Sequence, residues 1–238
     1  MSTLDWISDR LWPFVRGDTP PREFEAWAYQ AAELEAYLQK DLYLETISID
    51  YTNEASVFTL RQRLAEFIRR NSIVKCECQA LPNLADVAMG GPAHEPVFKT
   101  LAEQARHGEA IWWLSAYRCD ECDQWWLVAS EARINDVFFM RRLSAVVGKA
   151  ILEQAEWPDE FDRFSTLLEL GRERGHRWRF VDPMSPALVQ IAIDLANEMP
   201  DLDTDRLADL LQIGLPHADA LADRALLDAP ITIGRSVR

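Results

Sequence analysis

Apolar positions in the first seventy residues recur mostly at helical spacing. Phe24, Trp27, Ala28, Ala31, Leu34 and Leu38 fall on one face of a helix. Pro20 and Pro21 sit in its first turn, where a missing N–H costs nothing, and Asp18 or Thr19 offers an N-cap. Ahead of it, residues 4–16 are a short apolar-rich segment interrupted by Pro13 and ended by Gly17. Leu60, Leu64, Phe67 and Ile68 mark a further helix, with Arg61, Arg63, Arg69 and Arg70 mostly on its solvated side. Between them, residues 41–51 carry Tyr43, Leu44, Ile47 and Tyr51, which suit a helix but leave a strand open.

The pattern then changes. Residues 81–96 are punctuated by Gly and Pro and read as a loop. In IWWLSAYRCDECDQWWLVAS two β-prone, aromatic-rich runs flank Cys119-Asp-Glu-Cys122, which predicts a hairpin with the cysteines at its tip. Trp112, Trp113, Trp125 and Trp126 would pack on its faces. Exposed tryptophans can bind bases or sugars, but beside a small metal site core packing is the favoured reading. A helix is expected from about Asn135, with Val137, Phe138, Ser144, Val147 and Ile151 turned inward and Arg141, Arg142 and Lys149 as surface bases. After a break at 156–160, FDRFSTLLELGRERG reads as a helix and the segment with Arg177 and Arg179 as extended. Three short helices close the chain, one capped by Asp203 or Thr204 and the last opened by Pro216. The expected class is therefore mainly α with a small β-hairpin zinc knuckle (α+β). Its parts are a helical module over 1–72, a zinc-binding hairpin-plus-helix unit over 73–155 and an acidic helical region over 156–238. The short breaks allow these to pack as one body.

The four cysteines change the picture most. They fall into Cys76-Glu-Cys78 and Cys119-Asp-Glu-Cys122 with none left over, the pairing of a four-thiolate zinc site. Four sulfurs close a tetrahedron and leave no place for water, so one structural Zn2+ per chain is expected. His94 and His107 are the alternative ligands. A redox dithiol at CDEC would need a thioredoxin-like context that the pattern lacks, and it would leave CEC unexplained.

Charge narrows the partners. The net charge is −14, and residues 151–238 hold 17 acids against nine bases. The closing helices have a helix-turn-helix cadence. Between Pro186 and Ala229, however, nine acids face only Arg206 and Arg224, a poor footprint for phosphate. Nucleic acid is thus disfavoured and a basic protein partner fits better, with Asp201, Asp203, Asp205 and Asp209 as candidate contacts. No run approaches the roughly 18 apolar residues of a membrane span, and MSTLDWISDRLW lacks a signal-peptide pattern. A cytoplasmic, thiol-reducing location is expected. No nucleotide-binding, nucleophile-elbow or zinc-hydrolase motif is present, and Glu131 with Asp136 is explained as well by capping and ion pairing.

GDTPPREFEAWAYQAAELEAYL followed by LYLETISIDY resembles the N-terminal part of immunity proteins that sit beside bacterial polymorphic and colicin-like toxins. The shared pattern is an early Trp, a Gly-Asp, a Phe-Glu-x-Trp helix and a Tyr-Leu-Glu run. YRCDECDQWWLVASEARINDVFFMRRL is similar to zinc-knuckle segments from the same neighbourhood, so the resemblance extends through Leu143. It implies an intracellular inhibitor that binds its toxin and performs no chemistry. The alternative from the residues alone is a zinc-containing nucleic-acid-binding or transcriptional regulator.

Overall fold

A computed structural model describes residues 3–71, 76–176 and 185–235 of the chain. Five helices come first: α1 (Thr3–Arg16), α2 (Pro21–Gln30), α3 (Ala32–Tyr37), α4 (Lys40–Ser48) and α5 (Glu54–Asn71). Pro13 is accommodated inside α1. The single amphipathic helix expected from Pro20 to Leu38 is broken at Ala31, whose backbone (φ −85°, ψ 83°) leaves the helical region. The ambiguous 41–51 stretch resolves as α4. These helices enclose one apolar cluster in which Phe14 stacks on Phe24 at 3.7 Å and Arg61 lies 5.0 Å over the Phe14 ring.

The central region departs from expectation. It is a five-stranded antiparallel sheet, not a small hairpin: β1 (Leu84–Ala88), β2 (Leu101–Arg106), β3 (Leu114–Cys119), β4 (Trp125–Glu131) and β5 (Val137–Leu143), in the order β1-β5-β4-β3-β2. The class is α+β with a substantial sheet, and the mainly-α expectation is corrected. The predicted hairpin is the β3–β4 pair, with Ala116 opposite Leu127. The other three strands escaped for identifiable reasons. β5 lies between two strands and is covered on both faces, so its apolar residues do not alternate cleanly, and a strand stands where a helix from Asn135 is expected. The helix starts later, as α7 (Ala145–Gln154), and Ser144 is its N-cap, accepting from the Val147 N–H at 3.3 Å. β1 is five residues inside the Gly/Pro-punctuated stretch expected to be a loop. β2, Leu-Ala-Glu-Gln-Ala-Arg, is made of helix-favouring residues that pairing with β3 holds extended at the sheet edge.

A short α6 (His94–Phe98) links β1 to β2, and α8 (Phe164–Glu173), α9 (Pro186–Glu198), α10 (Thr204–Leu211) and α11 (Leu215–Asp228) follow α7. Asp203 caps α10 by accepting from the Arg206 N–H at 2.7 Å, and Pro216 stands in the first turn of α11, both as expected. The largest apolar cluster joins one sheet face (Leu114, Leu127, Phe139) to these C-terminal helices (Leu167, Leu195, Leu221). Gly148 lets α7 lie against the Trp125 indole; a Cβ there would stand 2.3 Å from the ring. The other face carries Trp126, Val128 and Met140 under α6 and the cysteine-bearing turns. The extended segment with Arg177 and Arg179 lies outside the described residues, as does 72–75. Among the described residues no helix is long and apolar enough to cross a membrane.

Candidate metal centre

The four cysteines meet although two lie more than forty residues from the others. Cys119 ends β3, and Cys122 follows in the tight β3–β4 connection. There the Asp123 N–H donates to the Cys119 carbonyl at 3.0 Å, and the Cys119 N–H donates to the Gln124 carbonyl at 2.9 Å. Asp123 takes the left-handed conformation (φ 60°) that closes this turn, which Asp tolerates better than most residues. Cys76 and Cys78 converge by a bend. Glu77 is helical in its backbone, and Cys78 opens a 3-10 turn to Ala80.

All four Sγ atoms lie within 4.8 Å of one another. Cys78 Sγ is 3.5 Å from Cys76 Sγ and 3.4 Å from Cys122 Sγ. These separations are far beyond a sulfur–sulfur bond of about 2.05 Å, and all four thiols are free. They lie a few tenths of an ångström inside the spacing of about 3.8 Å that four sulfurs take at about 2.3 Å from a tetrahedral ion. Cys78 and Cys119 are fully buried and the other two partly so. The donor set and its geometry therefore fit a metal ion.

The electrostatics of the cluster point the same way. Hydrogen bonding to Cys122 holds the Cys76 and Cys78 thiols above the usual thiol range, and the same contacts hold Cys122 below it. A cation bound here would be held by all four sulfurs as thiolates, so binding would release protons.

A shell of polar contacts fixes the two halves. Arg142, on β5, donates through Nη2 to the carbonyls of Cys78 (3.0 Å) and Leu81 (2.9 Å), and through Nη1 to Gln124 Oε1 (2.8 Å). Its guanidinium lies 4.4 Å over the Trp126 ring. Burial, with Arg16 adding to it, lowers its pKa to about 10, so it remains a cation at neutral pH beside the sulfurs. Arg16 donates to the Gln79 carbonyl at 3.2 Å and pairs with Asp18, which in turn accepts from the Asn83 N–H at 3.1 Å. The end of α1 is thereby tied to the cysteine-bearing turn. Thr100 Oγ1 accepts from Cys119 Sγ at 3.4 Å.

The alternative ligands lie elsewhere. His94 Nδ1 accepts from the Gly90 N–H at 3.0 Å and its ring packs on Phe98 and Phe138, while His107 packs on Trp157. Of the four tryptophans, Trp125 and Trp126 are core and Trp113 is partly buried, but Trp112 is 43% exposed. Glu131 is fully buried and accepts from the N–H groups of Arg133, Ile134 and Asn135, which makes it the organiser of the β4–β5 connection. Asp201, Asp203, Asp205 and Asp209 gather along α10 and the turn before it. Asp203 is occupied as the cap and Asp209 lies 3.7 Å from Arg172.

Arg142, expected as a surface base of a helix, is instead part of the site. Its signal was the period-2 series Phe138, Met140, Arg142, which sets a charge at the end of an inward-facing row. No protein-family model, no curated protein and no solved structure matches the chain.

Proposed function

We propose that this chain is a non-enzymatic binding protein, stapled by one structural zinc and acting in the cytoplasm on a basic protein partner. In the reading that its N-terminal resemblance supports, the partner is a bacterial toxin domain that the chain neutralises. The observation that carries the proposal is the buried convergence of four cysteine sulfurs held by backbone turns and Arg142. Four thiolates complete a tetrahedral shell, and zinc is the metal that such a shell most commonly serves as a fold element. Basic residues near the knuckle that would favour nucleic acid are engaged within the chain. Arg141 forks onto Glu160 at 2.6–2.9 Å, Arg133 pairs with Asp194 at 2.8 Å and Arg142 is turned inward. That distribution supports a protein partner over the regulator reading.

The test is co-expression with the protein that the neighbouring reading frame encodes. Restored growth, together with a stable purified complex and no gel shift of DNA or RNA at moderate salt, is the expected result. Nucleic-acid retention at moderate salt without rescue would replace this reading with the regulator.

A further inference from the structure

The sheet face that carries the cysteine cluster is covered only in part. Away from the cluster, β2, β3 and β4 enclose an open cavity of about 190 Å3. Its floor holds Ser115 and Ser130 on neighbouring strands. Ser115 is only 8% exposed, and neither hydroxyl has a hydrogen-bond partner among the described residues. Both hydroxyls open onto the cavity, where each can donate to and accept from a ligand as it does from water. At one side Arg106 forks onto Glu103 with both contacts at 3.1 Å, and the Tyr117 hydroxyl donates to the same carboxylate at 3.1 Å. At the other stand Trp112 and Trp113, edge to face at 5.8 Å, with Arg133 holding the Trp112 ring from 5.2 Å. Phe138, opposite Ser130 on β5, completes the apolar lining.

These groups select by chemistry. Glu103 and Arg106 cancel one another, so the cavity has no net charge for an anion or a cation to answer, and the chain's net charge of −14 further disfavours anions. The remaining polar groups include hydroxyls that both donate and accept, a carboxylate with spare lone pairs and a guanidinium with spare N–H groups. Ring hydroxyls have that same dual character, while aromatic walls suit the apolar faces of such a ring. The volume is below the usual range of drug-sized pockets, about 300–1,000 Å3, which limits the occupant to one small ring.

We propose that this cavity is a binding site for a single neutral polyhydroxylated ring, a monosaccharide in chemical terms. The inference is independent of the partner reading, since it uses neither the cysteines nor the acidic helices.

The test is titration of isotope-labelled full-length protein with D-glucose, D-galactose and N-acetyl-D-glucosamine, followed by amide and indole chemical shifts. At least one sugar should give saturable shifts centred on Ser115, Ser130 and the Trp112 indole. Ser115→Ala and Glu103→Gln should each weaken binding about five- to tenfold, the loss of one hydrogen bond, with the rest of the spectrum unchanged. Trp112→Ala, on the exposed rim, reads the same site should Ser115→Ala fail to fold. The absence of saturable shifts with all three sugars would overturn the proposal. So would shifts that are indifferent to all of these substitutions, or tighter binding of inorganic phosphate than of any sugar.

Discussion

Arg142 reaches from near the end of β5 to the carbonyl oxygen of Cys78, 3.0 Å away, and so locks the turn bearing one cysteine pair to the sheet that carries the other. The same guanidinium covers the Trp126 ring and holds Gln124, the residue that closes the second cysteine turn. One side chain thus couples sheet packing to the convergence of the sulfurs. Arg142→Met should cost about 1–3 kcal/mol by leaving buried carbonyls unanswered. It should also weaken metal retention about 10- to 100-fold, as removal of supporting groups around metal ligands does. Urea denaturation with a chelator competition measures both. Arg142→Lys should recover only part, because an ammonium cannot reproduce the planar fork.

Gly148 sits where α7 crosses Trp125. At an exposed helix interior Gly→Ala stabilises by about 1 kcal/mol. Here the added methyl would meet the indole at 2.3 Å, so Gly148→Ala should destabilise by about 1–3 kcal/mol instead. Thermal unfolding of the two proteins decides the sign.

Glu131 tests the β4–β5 connection through pH. Burial raises its pKa above the ordinary value of 4.5, opposed by the three backbone N–H groups it accepts. A raised acid favours the folded state when protonated. Its contribution is therefore fully present below the unfolded pKa near 4.5 and is lost as pH rises through the higher folded value. Glu131→Gln cannot titrate, so the stability difference, wild type minus variant, should fall from pH 4 to neutrality. Chemical denaturation across that range measures it, and a difference that rises with pH would contradict the assignment.

The acidic C-terminal surface yields a kinetic prediction. Asp205 and Asp209 are exposed, and an exposed ion pair such as Asp209 with Arg172 contributes about 0–1 kcal/mol. Asp205→Asn with Asp209→Asn should leave folding nearly intact while slowing capture of a basic partner at low salt. Added salt should narrow the gap between wild type and variant. Stopped-flow association with the proposed basic partner reads this. Rates indifferent to both charge and salt would move the contact surface to the helices that carry the resemblance.

Local signals made some of this legible beforehand. The cysteine spacing, the β3–β4 hairpin, the cap at Asp203 and the first-turn Pro216 each depend on residues close in sequence. The sheet was not legible beyond its hairpin because its other strands are defined by partners far along the chain. β5 pairs with β1 across some fifty residues, Leu84 meeting Arg141, and is buried on both faces, which erased the alternation that marks a strand. β2 shows the opposite conflict, with helix-favouring residues held extended by their neighbour. Arg142 shared the fate of its strand: assigned to a helix surface, it could not be seen as a support for the cysteines. The open cavity likewise needs the β2–β3–β4 register, and Trp112, expected in the core, proves to be 43% exposed on its rim.

The most direct measurement is the metal content of the purified, reduced protein by elemental mass spectrometry, beside a Cys119→Ser/Cys122→Ser double variant. Four converging thiolates predict about one zinc per wild-type chain, lost from the double variant together with stability of the central sheet. Wild-type protein without bound metal, or a double variant that keeps its full zinc, would contradict the four-thiolate centre.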